Sequence, residues 1–408
     1  MATIRPFRAL RPPAERAAAV SAVPYDVVST AEARDLASGN PWSFLHVSRA
    51  EIDLPDGTDA YADAVYRKAA ENFERLKREA PLSREDTPLL YVYRQSLRNH
   101  EQTGLAGSFS LDEYDTDVIR KHEKTRKDKE DDRTRHMVTL RAQTGPVLLT
   151  YRDRAGIDEL IADAKKPDPL YDFTAADGVA HAVWRLSEET TRRLVEALRS
   201  VPLLYIADGH HRAASASRAR VEIRCANPGH RGIEDYNFFL AVAFPAGQLR
   251  ILSYNRAVKD LNGRSPREFL TALEAKFSVS EGAPPSPPRK GEVSVYLDGR
   301  WYGLTLPKPS GSNPIEALDA DRFQRHVLDS MLGIRDVRTD KRIDFVGGIR
   351  GTDELERRVD SGRAAVAFSL FPVSPEEVMA VSDTGEIMPP KSTWFEPKLR
   401  DGLLIHII

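Results

Sequence analysis

Leu203-Leu204-Tyr205-Ile206-Ala207 runs directly into Asp208-Gly209-His210-His211-Arg212 and then into Ala213 to Val221, a stretch rich in helix formers. The apolar run reads as a buried strand, so the polar run falls at a strand's carboxyl end, where α/β folds commonly carry ligands. This strand-loop-helix junction places the chain in the α/β or α+β class. Adjacent histidines cannot share a face of a regular strand and lie about 100° apart on a helix, whereas a loop lets them converge. Gly209 permits close backbone approach, and Arg212 can grip a phosphate or carboxylate with two parallel hydrogen bonds. If the segment enters a helix, first-turn amides add anion donors. Asp208 can hold a divalent ion, and a neutral His210 or His211 can accept a proton. The bland alternative is a polar turn with one histidine buried and hydrogen-bonded and the other solvated.

With 408 residues the chain exceeds the size at which a single core keeps growing, so two lobes are expected, at 1–175 and 176–408. Val65, Ala69, Phe73 and Leu76 recur at helical spacing after Tyr61. Strands are expected over 89–93, 104–109, 146–151 and 238–244. Val293 to Leu297 and Trp301 to Leu306 flank Asp298-Gly299 as a hairpin. Between 114 and 141 the charges alternate densely, which reads either as an exposed helix laced by ion pairs or as a second half-site. In the latter, Lys124 and Arg126 surround an anion while Glu123 carries a proton or a metal contact. Taken with the first run, this predicts that 122–126 and 210–212 meet in one anion-binding cleft.

Basic and acidic side chains number 59 and 61, a net charge of −2, and no basic stripe is interleaved with aromatics, so no nucleic-acid partner is expected. No apolar stretch reaches 18 residues, so no membrane span is expected, and the single Cys225 and the unremarkable start of the chain point to a cytoplasmic protein. Both a monomer and a homodimer suit the composition. Asp26, in Pro24-Tyr25-Asp26, and Asn255, Arg256 and Lys391 are substrate-binding candidates, each with a turn, cap or salt-bridge role as the alternative. Gly347-Gly348 through Gly351 brackets a tight turn.

The chain closely resembles the bacterial and archaeal domain-of-unknown-function family 1015. The resemblance is carried by Arg5-Pro6-Phe7, Pro24-Tyr25-Asp26-Val27-Val28, Asn40-Pro41, the His122-Glu123-Lys124-Thr125 and Asp131-Asp132-Arg133 elements, Asp208-Gly209-His210-His211-Arg212, Tyr254-Asn255-Arg256 and the 388–398 tail. The DGHHR motif is also similar to the phosphate-binding segment of the ParB/sulfiredoxin-like group, particularly its free-serine kinases. That similarity implies a two-lobed mixed-sheet protein with a nucleotide-binding core. ATP or ADP with Mg²⁺ would be the cofactor, and phosphoryl transfer to a small hydroxylated metabolite such as serine the reaction. Only Asp208 to Arg212 carry over from it; with Glu123, Lys124 and Arg126 added for their chemical suitability, Glu123, Asp208, His210, His211 and Arg212 are expected to be catalytic, Lys124, Arg126, Gly209 and Arg212 to bind the nucleotide, and Asp208 and Glu123 to hold the metal. A hydrolase of phosphorylated metabolites and a non-catalytic nucleotide- or amino-acid-binding regulator are the competing readings.

Overall fold

A computed structural model describes residues 2–309 and 311–408. The chain divides into two compact units, one of residues 1–249 with 397–408 and the other of residues 250–396. The division therefore falls well beyond the expected boundary near 175. Strands on both sides of that point pair with each other, and a cut there would have broken a continuous hydrogen-bonded ladder.

The first unit is built on a nine-stranded mixed sheet. Its strands are β1 (Ile4–Arg5), β2 (Tyr91–Leu97), β3 (His100–Ser110), β4 (Ile119–Arg120), β5 (Val147–Tyr151), β6 (Tyr171–Thr174), β7 (Ala180–Arg185), β8 (Leu204–Asp208) and β9 (Phe238–Pro245). They lie in the order β4-β8-β5-β9-β3-β2-β7-β6, with β1 beside β3. Two pairings, β4 with β8 and β5 with β9, are parallel, and the remainder are antiparallel. The expected apolar runs become central strands, which explains why Tyr91, Val147 and Ala241 are buried with their neighbours on both sides.

Three helices matter for the site: α1 (Asp63–Glu79), α2 (Lys127–Leu140) and α3 (His210–Cys225). In α1, Val65, Ala69, Phe73 and Leu76 are buried as their spacing predicts, while Tyr61 precedes the helix and stays exposed. The charged 114–141 stretch is not one long exposed helix. It contains Leu111–Asp115, strand β4, a loop and then α2, whose Asp132, Thr134 and His136 are buried. Packed on α2 is α3, where Ala213, Ala216 and Ala219 are small enough to admit a close neighbour and Ser215 Oγ donates to the Glu130 carbonyl at 3.1 Å.

The second unit holds a six-stranded antiparallel sheet in the order 278–281, 300–305, 292–297, 366–370, 254–258, 343–347. Asp298 and Gly299 both have positive φ, 49° and 75°, as a two-residue hairpin turn requires. Asn255 and Arg256 are buried within this sheet. Asn255 Oδ1 accepts from the Leu370 amide, and Arg256 is bonded to the carbonyls of Tyr254 and Lys391. Lys391, with φ of 58°, sets its ammonium over the Tyr254 ring. All of these contacts lie inside the second unit.

No helix among the described residues is long and apolar enough to cross a membrane.

Candidate functional site

Strand β8 ends irregularly. Its register against β5 shifts between Ile206 and Asp208, a bulge that re-aims Asp208 at the point where pairing stops. Gly209 follows with φ of 96°, a conformation that strains any residue with a side chain, and α3 starts at once. The DGHHR segment is therefore not a loop, since His210, His211 and Arg212 form the first turn of α3. Gly209, at the N-cap, has no side chain with which to cap that turn.

A helical first turn sends the two histidines in different directions, and each finds a different part of the 122–126 loop. The His210 and His122 rings meet edge to face, with centroids 4.4 Å apart, and the His122 amide donates to His210 Nε2 at 3.4 Å. Glu123 Oε2 stands 3.9 Å from His210 Nδ1. His211 Nε2 accepts from the Arg126 amide at 3.1 Å. The two runs thus meet, as their chemistry suggested, although 88 residues separate His122 from His210. The side chains of Lys124 and Arg126 are exposed on this loop, and Arg126 is paired with Asp128.

Arg212 turns inward. Its Nη2 donates to Asp208 Oδ2 at 2.8 Å, its Nη1 donates to the Pro146 carbonyl, and its Nε is buried without a hydrogen-bond partner among the described residues. Burial opposes its charge, but the carboxylates of Asp26, Asp208 and Asp401 outweigh burial and hold it above the ordinary arginine value. Asp26 lies in the short helical turn Tyr25–Val27 and is exposed, so it marks the solvent side of this charge cluster.

Sequence reasoning missed the tail. Lys398 Nζ bonds Asp208 Oδ1 at 2.9 Å, and Asp401 is buried beside Gly145, where a β-carbon would strike its carboxylate. Arg400 pairs with Asp177 at 2.5 Å, and its Nε donates to His181 Nε2 at 3.0 Å, leaving Nδ1 to donate to the Tyr93 hydroxyl. Charged Lys398, Arg400 and Asp401 stand just before the mostly apolar run Leu403 to Ile408, and that was the available signal. Burial works against the charge of Asp208 too, yet Lys398 and Arg212 prevail and hold it below the usual carboxylate range. Both of its oxygens are thus engaged by cations, which makes it a poor ligand for Mg²⁺, and Glu123 lies with the two imidazoles instead of completing a carboxylate pair with it.

Burial lowers the imidazoles of His122, His181 and His210 to about 3, and those of His136 and His406 to about 4. In the unfolded chain they titrate near the ordinary imidazole value of about 6.5. The unfolded chain therefore binds more protons below that pH, and native stability falls as the pH drops from about 6.5 toward 3. Asp401, raised by burial to about 7, acts in the opposite sense between 7 and 3.8, and Asp158, Asp319 and Asp321, also raised by burial, add to it above 3.8, against the five imidazoles. The urea midpoint is expected to be lower at pH 5 than at pH 7.5; equal midpoints would mean that these imidazoles are not held neutral by the fold.

Residues 4–321 match the family described as "Protein of unknown function (DUF1015)". No curated protein matches the chain. Among solved structures, a conserved hypothetical protein from Pyrococcus furiosus is similar at 14% identity, covering 74% of this chain and 94% of that one, with a TM-score of 0.34. Free serine kinase in complex with AMP is similar at 14% identity over 72% and 86% of the two chains, with a TM-score of 0.34. SbnI with C-terminal truncation from Staphylococcus aureus is similar at 12% identity over 74% and 87%, with a TM-score of 0.38.

Proposed function

We propose that this chain, which belongs to the DUF1015 family, binds an adenine nucleotide and transfers a phosphoryl group to a small hydroxylated metabolite such as serine. The observation that carries the reading is the uncapped first turn of α3, entered through a left-handed Gly209 and tied through both of its histidines to the 122–126 loop. Phosphate oxygens would take the first-turn amides as donors, and Lys124 would add charge from the loop. ATP or ADP, entering as its Mg²⁺ complex, is the donor class that the DGHHR resemblance implies.

Proton acceptance falls to Glu123 by elimination. His210 is too weak a base near neutral pH once burial has lowered it to about 3, and the Nε2 of His211 is occupied by the Arg126 amide. Glu123 retains 39% side-chain exposure and can reach a bound hydroxyl. In the reaction the hydroxyl oxygen forms a bond to the terminal phosphorus, its proton passes to Glu123, and the bond to the departing nucleotide oxygen breaks with its electron pair.

The test is incubation of the purified full chain with ATP or ADP, Mg²⁺ and a panel of hydroxylated metabolites that includes serine, with products read by mass spectrometry. A nucleotide-dependent phosphorylated acceptor supports the proposal. Three results count against it: no phosphorylated acceptor, phosphate release from a phosphorylated metabolite without nucleotide, and saturable nucleotide binding with no product.

A further inference from the structure

The loop and first turn also bring together a donor set that phosphate binding does not require. Ring nitrogens of His122 and His210 and a carboxylate oxygen of Glu123 all lie within 4.8 Å of one another. We propose that these three residues bind a divalent first-row transition ion of the zinc or cobalt class, through two imidazole nitrogens and one carboxylate oxygen. Binding of the ion stands on this geometry alone, and its place beside the first turn of α3 would put it within the proposed phosphoryl-transfer site.

The ligand types select the ion. Imidazole suits zinc, iron, nickel and copper, whereas magnesium and calcium favour oxygen donors, so a site with two histidines and one carboxylate is not a magnesium site. Distances also permit it. Tetrahedral ligand atoms on bonds of about 2.1 Å stand about 3.4 Å apart. His210 Nδ1 and Glu123 Oε2 are already 3.9 Å apart, and closing the set from 4.8 Å asks for a shift on the order of 1 Å. Glu123 is the member able to supply it, because its side chain is 39% exposed and it stands on the loop between β4 and α2.

The two rings, by contrast, are held. Both are buried, at 2% and 4% exposure. His122 is bonded to the Ile206 backbone, and His210 takes the His122 amide on Nε2, which turns Nδ1 toward Glu123. The Ile206 contact fixes the His122 ring as metal-ligating imidazoles are fixed, whereas the amide bond to His210 Nε2 puts that neutral ring's proton on Nδ1, and ion binding there moves the proton to Nε2 and gives up this long hydrogen bond. A packing role would not ask for this chemistry. Two apolar side chains would fill the same space without the cost of burying polar rings, and they would give a carboxylate no reason to stand against one of them. Three protein ligands with one side open to solvent leave a coordination position for water or an oxygen ligand, the pattern of reactive rather than structural metal sites. A carboxylate bound through one oxygen keeps the other for a hydroxyl proton, so Glu123 can serve both readings.

The test uses Co²⁺ alone, titrated into metal-stripped full chain and followed by its visible ligand-field absorption, with Zn²⁺ as competitor. One Co²⁺ per chain, displaced by Zn²⁺, is expected. Glu123→Ala and His210→Asn should each weaken binding at least tenfold. Absence of the absorption at excess Co²⁺, or a Glu123→Ala chain that binds as the unaltered one does, overturns the site. Should His210→Asn fail to fold, Glu123→Ala decides, since its exposed side chain contributes little packing. The two proposals fail separately. Acceptor phosphorylation with Mg²⁺-nucleotide in a chain that does not bind Co²⁺ ends the metal site alone, and Co²⁺ binding without any phosphorylated acceptor ends the kinase reading alone.

Discussion

Arg212→Ala is expected to lower the stability of the chain by about 3–5 kcal/mol, the usual cost of removing one member of a buried ion pair. The arginine is 5% exposed and bonds Asp208 and the Pro146 carbonyl from inside the first unit. Without it, Asp401, 3% exposed, loses the cation that most opposes its burial, and Asp208 keeps only Lys398. Both carboxylates then stand in a setting that disfavours their charge. Arg212→Lys should recover only part of the loss, because an ammonium cannot make the divergent contacts of a guanidinium. Urea unfolding followed by circular dichroism measures both variants, and an alanine variant that unfolds at the original midpoint would remove Arg212 from the structural core of the site. This makes Arg212 first a scaffold for the DGHHR segment, and any ligand contact has to be measured against that loss.

Glu123→Gln should act in the opposite way, with little change in the urea midpoint and a fall in turnover of about 10²–10⁴, the range expected when a positioned proton acceptor is removed. The amide keeps the size and hydrogen bonding of the carboxylate but cannot take the hydroxyl proton. Its side chain is partly solvated and stands 3.9 Å from its buried neighbour, His210 Nδ1, beyond hydrogen-bond distance, so the fold should respond little. Steady-state rates with the acceptor found in the product screen give the measurement. Unchanged turnover would move proton acceptance elsewhere, and a collapse of stability would show that the loop needs the charge.

Much of the first unit is legible in one dimension because its signals are local. A buried central strand has to be apolar on both faces, which is why 89–93, 104–109, 146–151, 204–208 and 238–244 stand out in the sequence. Asp298-Gly299 as a hairpin turn is decided by a few adjacent dihedrals, and it occurs as expected. The meeting of 122–126 with 210–212 could be anticipated only from complementary chemistry, since nothing in the spacing specifies the pairing.

Other features were invisible for the same reason that they matter. Whether His210 enters a helix or stays in a loop turns on Gly209 and the β8 bulge, which set where Asp208 points. The tail completes the first unit because Asp401 exchanges backbone hydrogen bonds with Ala22 and Ile405 with Leu10, pairings across almost the whole chain. The amino-acid sequence by itself determined the class of fold, the strands and the two polar runs, since propensity and hydrophobic period are properties of neighbouring residues. Only the tertiary structure decided that Arg212 is buried, that Lys398 and Arg212 attend Asp208, and that Glu123 stands with two histidines. Electrostatic partners are chosen by distance in space, and a buried charge takes whichever counter-charge the packing of distant segments brings to it.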